Sequence, residues 1–202
     1  HKRTCSKKSD KKMTKQIYAE ETKSSFNLQP ELKNKFIEVI PLKEDDFEEL
    51  FAAASDPLVW EQHPNKDRYK REVFKNFFRG AIESGGAFKV KERETGKVIG
   101  SSRYYGYNSE ERAVSVGYTF LAKEYWGKNY NRTLKQLMLD HAFRYVDIVY
   151  FHIGAENIRS QKAIEKIGAV KTDERDMRYY GEEMKRNFVY EIRKGEWGDK
   201  PL

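Results

Sequence analysis

A chain of 202 residues with one cysteine (Cys5) and four scattered histidines cannot assemble a disulfide framework or a cysteine-based zinc site, and it shows no HExxH-like spacing. Apolar residues make up 38% and charged residues 35%, and no apolar run approaches the length of a bilayer span. The formal charge of +7 would suit nucleic acid, but residues 1–25 hold eight Lys/Arg against Asp10, Glu20 and Glu21, so most of the excess sits in a short leader. The expected organisation is a basic, disordered tail over 1–25 and a single domain over 26–202, large enough for one substantial core. The N-terminus is polar and lacks the apolar core of a signal peptide, which points to the cytoplasm. Neither a membrane nor nucleic acid is an expected partner, and no metal is expected.

In chain order, "FIEVIPL" (Phe36–Leu42) alternates and predicts a strand ending at Pro41. "KEDDFEELFAAASD" (Lys43–Asp56) opens with acidic residues and spaces Phe47, Leu50 and Phe51 for a helix. "PLVWEQHPNKDRY" carries two prolines and reads as a loop. "REVFKNFFRGAIESGG" (Arg71–Gly86) predicts a second helix, with Val73, Phe74, Phe77, Phe78 and Ala81 on one face. The period then becomes two: "AFKVKE" and "KVIGSSRYY" flank "RETG", a hairpin signal. "RAVSVGYTFL" (Arg112–Leu121) alternates, which predicts that Val114, Val116, Tyr118 and Phe120 share one face and Ala113, Ser115, Gly117 and Thr119 the other.

Next comes "EYWGKNYNRTLKQLMLDHAF" (Glu124–Phe143), a turn feeding a helix whose apolar stripe is Leu134, Leu137, Met138, His141, Ala142 and Tyr145. "DIVYFHIG" (Asp147–Gly154) is almost continuously apolar, as a strand buried on both faces would be. "NIRSQKAIEKIG" is a short helix stopped by Gly168, and the remainder reads as two strands joined by a charged connection. The strand–helix–strand from Arg112 to Gly154 predicts a right-handed βαβ crossover. Its strand-to-helix turn is the natural place for an anion, because a helix start offers unpaired N–H groups and partial positive charge. Such a turn needs residues at positive φ. Gly127 supplies one freely, and Asn129 and Asn131 are the next best tolerated type. Asn131 can also serve as an N-cap, and Lys128 and Arg132 add positive charge. The bland alternative is a plain capped helix start.

The order of elements, with "GYTFLAKEYWGKNYNRTLKQLMLDHAF" and "HIGAENIRSQKAIEKIGA", resembles the GNAT superfamily of acyl-CoA-dependent N-acyltransferases, nearest the branch of the ribosomal-protein alanine acetyltransferases. The matching residues are Gly117-Tyr118, Tyr125-Trp126-Gly127-Lys128, Asn157, Ser160, Glu165-Lys166 and Gly168. Asn129 stands where the family carries glycine, Asn131 where it carries a small residue, and Ala169 where it carries phenylalanine. The resemblance implies an α/β fold: a mixed, partly antiparallel sheet with helices on both faces and a βαβ cofactor unit. It implies acetyl-CoA as cosubstrate. The pantetheine arm would lie by Phe120 and Leu121, and the pyrophosphate on the loop of Trp126, Gly127, Lys128, Asn129, Tyr130, Asn131 and Arg132. Asn157 and Ser160 would flank the arm.

The resemblance implies transfer of an acyl group, most simply acetyl, to the primary amine of a small molecule or of a protein N-terminus. Family members often carry a tyrosine acid seven residues after the asparagine and a glutamate base in the strand before the loop. Those positions are Ile164 and Ser115 here. Ser160 is the substitute acid, with helix capping as its ordinary alternative. Glu61 and His63 of "WEQHP" are substitute bases, the ordinary alternative being a solvated loop over Trp60. His141 and His152, within apolar patterns, read as structural. "RYYGY" (Arg103–Tyr107) and Tyr179-Tyr180 are aromatic clusters open to either an acceptor-pocket or a core role. The missing acid and base leave a coenzyme A-binding sensor or scaffold as the alternative to an enzyme. Pairing of edge strands into a homodimer is common among resembling proteins.

Overall fold

A computed structural model describes residues 25–198, so the basic tail expected over 1–25 lies almost entirely outside the described residues. Eight strands form one sheet. In chain order they are β1 (Leu32–Lys33), β2 (Ile37–Pro41), β3 (Ala87–Glu92), β4 (Val98–Asn108), β5 (Ala113–Leu121), β6 (Ile148–Gly154), β7 (Val170–Arg178) and β8 (Met184–Arg193). Across the sheet the order is β1-β2-β3-β4-β5-β6-β8-β7. All neighbours are antiparallel except β5 and β6, which run parallel as the βαβ expectation requires.

The described residues also form five α-helices: α1 (Phe47–Ala54), α2 (Arg71–Glu83), α3 (Tyr130–Ala142), α4 (Ile158–Glu165) and the short α5 (Lys194–Trp197). Their apolar stripes divide between two cores. Leu134, Met138 and Leu139 of α3 and Ile164 of α4 join Val39, Val90, Val114, Val116 and Phe151 from the sheet. Leu50 of α1 and Phe74, Phe77 and Phe78 of α2 join Trp60, Val98 and Phe120. The sheet therefore has helices on both faces, and alternate residues of its strands feed alternate cores. The two-residue β1 and the four-residue α5 are too short for periodicity to reveal.

Two sequence expectations need correction. Tyr118 and Phe120 do not share a face with Val114 and Val116. Ser101 pairs with Phe120 but Arg103 pairs with Gly117, so Tyr118 and Thr119 together oppose Ser102. This is a β-bulge, and Tyr118 adopts φ +52° within it. The extra residue reverses the alternation: Val114, Val116 and Leu121 pack in the α3/α4 core, while Phe120 joins the α1/α2 core with Tyr118 packed against it. The second correction concerns β6. Its burial alternates, with Val149, Phe151 and Ile153 buried and Ile148, Tyr150 and His152 only partly so. His152, Phe151 and Ile153 all line a cleft at this end of the strand.

Candidate active site

The parallel pairing of β5 with β6 covers only Ala113–Ser115 against Ile148–Tyr150. Beyond it β5 runs on to Leu121 and β6 to Gly154 without pairing to each other. The bulge bends β5 away at this point, because an inserted residue kinks and twists the strand that carries it. A V-shaped gap opens between the two strands, and peptide groups on its lips are left free for a third, extended partner. The gap widens into a cleft of about 740 Å³.

At the top of the gap lies the Trp126–Arg132 loop. Gly127 has φ +71° and Asn129 has φ +65°, ψ 0°. The positive φ expected of Asn129 is therefore observed. Asn129 itself is the N-cap of α3, through backbone geometry and without a side-chain hydrogen bond. Asn131, offered as a cap, lies inside the helix instead. The first intrahelical bond runs from Thr133 N–H to the Asn129 carbonyl at 2.9 Å. The N–H groups of Tyr130, Asn131 and Arg132 precede it without an intrahelical partner, and these residues line the cleft, where the helix start favours negative charge. Trp126 donates its Nε1–H to the Leu121 carbonyl at 2.9 Å, which ties the loop to the end of β5.

The cleft lining includes Phe120, Leu121, Trp126, Gly127, Asn129, Tyr130, Asn131 and Arg132, with Asn157, Ser160 and His63. Lys128 and Glu61 lie outside it. Lys128 is exposed, and the Glu61 carboxylate pairs with Arg159 at 3.3 Å, half out in solvent. Asn157 caps α4 by accepting from the Ser160 N–H at 3.2 Å. Ser160 is thus the capped residue and not the cap, and its hydroxyl makes no hydrogen bond among the described residues. Ile164, at the family's tyrosine position, is buried in the α3/α4 core.

A further part of the cleft wall comes from "WEQHPNKDRY". Trp60 is buried and donates to the Ala54 carbonyl at 2.7 Å. Pro64 lies against the end of β6 so closely that a Cβ on Gly154 would come within 2.4 Å of its Cγ. Arg68 is 2% exposed, forms an ion pair with Glu182 from the β7–β8 turn, and donates to His63 Nε2 at 3.1 Å. Burial, with the Arg68 charge adding to it, holds the His63 pKa well below its usual value. Because a guanidinium can only donate, the Nε2 lone pair is committed to Arg68 and the ring proton sits on Nδ1, 3.3 Å from the Asn65 carbonyl, so His63 has no free lone pair to offer an amine.

Three residues passed over in the sequence complete the site. His152, read as structural, lines the cleft from β6, and its Nδ1 lies 2.8 Å from Tyr105 Oη. Burial, then the Arg175 charge, lowers its pKa. Tyr105 pairs in register with Ser115, the residue standing where the family carries its glutamate. Arg159 stacks on Trp126 at 4.0 Å and donates to the Val59 carbonyl at 3.1 Å, while its own N–H bonds Gln62 at 3.0 Å. It joins α4, the WEQHP loop and the Trp126 loop. Lys135 reaches from α3 into the gap, fully enclosed. His141, by contrast, bonds the Asn27 carbonyl at 3.0 Å inside the core, in keeping with a structural role. Of the aromatic clusters, Tyr179 lines the cleft, Tyr104 is core, and Tyr107 and Tyr180 are exposed. No group of three or more His, Cys, Asp or Glu suited to a metal occurs among the described residues.

The family model described as the acetyltransferase (GNAT) domain matches residues 37–170. No curated protein matches the sequence. Among solved structures, a GCN5-related N-acetyltransferase from Brucella melitensis shares 17% identity, with 84% of this chain and 80% of that one covered at a TM-score of 0.71. Spermidine N-acetyltransferase from Vibrio cholerae, in complex with CoA and spermine, shares 16% over 81% and 99% at 0.62. Mycobacterium smegmatis RimJ, in complex with CoA-disulfide, shares 13% over 85% and 89% at 0.64. At these identities the structures speak for the fold alone.

Proposed function

Because the chain belongs to the GNAT acetyltransferase family, we propose that it transfers an acetyl group from acetyl-CoA to a primary amine by direct attack on the thioester. GNAT acetyltransferases use acetyl-CoA, and the residues of this cleft fit it. The unpaired N–H groups of Tyr130, Asn131 and Arg132 suit the diphosphate, and the edge of β5 beside Phe120 and Leu121, unpaired with β6, suits the amide-bearing arm. The gap between β5 and β6, closed at Ser115–Tyr150 and headed by the left-handed Asn129, is the observation that carries this reading. We read residues 26–202 as one acyltransferase domain behind a basic leader.

Acetyl-CoA supplies an electrophilic carbonyl and a thiolate leaving group. The chain must supply an amine without its extra proton, a fixed orientation and a proton for the thiolate. His152 is the proposed base. With its proton on Nδ1 the ring donates to Tyr105 Oη, and Nε2 is then free to take the proton of the amine. Ser160, a cleft residue whose hydroxyl is uncommitted among the described residues, is the proposed acid. His63 and Arg68 shape the acceptor wall, and Glu61 acts through Arg159 as a surface tie.

The test is a panel of amines (spermidine, an alanine-initiated peptide, an amino sugar) with acetyl-CoA, read as free thiol. Thiol release by at least one amine, together with a rise in melting temperature on adding acetyl-CoA, is the expected result. Stabilisation without release for any amine would favour a coenzyme A-binding sensor, and no stabilisation at millimolar acetyl-CoA would sink both readings.

A further inference from the structure

Lys135 projects from the second turn of α3 towards the sheet, and its Nζ bonds Thr119 Oγ1 at 2.5 Å. Thr119 is one of the two residues of the bulge and is itself held by Ser102 Oγ at 2.8 Å. On the other side Nζ stands 6.0 Å from the ring centroid of Phe151 on β6. The amine therefore spans both lips of the gap, on its α3 side, while His152 and Tyr118 line the acceptor side. An arm entering at the Trp126–Arg132 loop and passing Leu121 and Phe120 meets Thr119 next. Thr119 is the residue to which Lys135 is fixed, so the amine stands next along that path.

Among the described residues the cleft lining contains no aspartate or glutamate, and Lys135 makes no ion pair. A buried ammonium without a counter-ion is costly, and the group sheds its proton instead. Burial accordingly brings its pKa down to about 7. A desolvated, neutral lysine amine is a competent nucleophile towards a carbonyl carbon.

Resting on the acetyl-CoA reading of the cleft, we propose that Lys135 is a self-acylation site, taking the acetyl group of the chain's own cosubstrate. The Nζ lone pair forms the new N–C bond to the thioester carbonyl carbon. The C–S bond breaks with its electron pair on sulfur, and the proton released from Nζ returns to the thiolate. The products are an amide on Lys135 and free coenzyme A, with no oxidant, reductant or further reactant needed. The amide is larger and uncharged, so it occupies the gap and limits the next loading.

The experiment is intact-mass spectrometry of the full chain incubated with acetyl-CoA and no acceptor, followed by peptide mapping. The expected result is one acetyl group per chain, mapped to Lys135, with labelling suppressed by excess coenzyme A and absent from Lys135→Met. Chain that already carries the acetyl group should bind further acetyl-CoA about tenfold more weakly than unlabelled chain. A melting curve confirms that Lys135→Met folds. Absence of label at Lys135 while acetyl-CoA still raises the melting temperature would overturn self-acylation and leave the enzyme reading intact. Label spread over surface lysines, indifferent to coenzyme A, would overturn it as well. Neither label nor stabilisation would remove the cofactor reading along with it.

Discussion

The two halves of the cleft meet at the bulge of β5 and are made of different material. Above the bulge, from Phe120 to Arg132, the useful groups belong to the backbone: free strand edges, three helix-start N–H groups and two residues at positive φ. Below and across from it they belong to side chains, among them His152 against Tyr105, Arg68 against Glu182 and His63, and Pro64 against Gly154. A backbone site tolerates changes of side chain as long as its dihedral angles survive. A side-chain site depends on individual atoms held by residues far away in the chain. Substitutions in the two halves should therefore behave differently.

The largest effect is expected on the side-chain half. His152→Gln keeps a polar side chain of similar bulk and loses the base, so the maximal rate with the best amine of the panel should fall by about 10²–10⁴-fold. The stabilisation by acetyl-CoA should be unaltered. In the wild type the same rate should fall as pH drops through the lowered His152 pKa, below its ordinary value near about 6.5. A wild-type rate in this variant would return the base role to solvent. Tyr105→Phe should give a smaller loss and change the pH profile, because it removes only the group that orients the ring.

Ser160→Ala comes next, with an expected rate loss of about 10²-fold and little change in acetyl-CoA binding. Since Asn157 and not Ser160 provides the cap of α4, the substitution should leave the melting temperature in place. A fall in stability with an unchanged rate would make Ser160 structural after all.

On the backbone half, Asn129→Gly should bind acetyl-CoA like the wild type. Asn129→Val should lose about tenfold, since a β-branched residue at positive φ pays on the order of 1–2 kcal/mol. Isothermal titration distinguishes the two. Equal loss in both would assign the contact to the asparagine amide and remove the contrast between the two halves of the cleft.

The smallest effect concerns stability and pH. His63, His141 and His152 all have folded pKa values below the unfolded one, with burial as the first cause in each. Below about pH 6.5 the unfolded chain then binds more protons than the folded one, so stability is complete above that pH and declines as pH falls. The urea midpoint should therefore fall between pH 7 and pH 5. His63→Gln should flatten the decline. A midpoint that rises on acidification would contradict the burial of these rings.

Much of this was legible in the sequence. Local patterns carried the helices at Phe47, Arg71 and Tyr130, the hairpin around "RETG" and the left-handed conformation of Asn129, because periodicity and φ preference act over a few residues. The family motifs lie in the same local stretches. The bulge at Tyr118 was not legible, since a bulge exists only in the register between two strands and leaves the alternation of one strand looking intact. Its consequences followed it out of reach: Phe120 changes face, β5 leaves β6, and His152 turns from a buried residue into a cleft residue. The contacts of Arg68 with Glu182, Tyr105 with His152, and Lys135 with Thr119 and Phe151 span 114, 47 and up to 16 residues. Contacts at such separations are decided by how the sheet is assembled, so only the tertiary structure places those side chains around one gap.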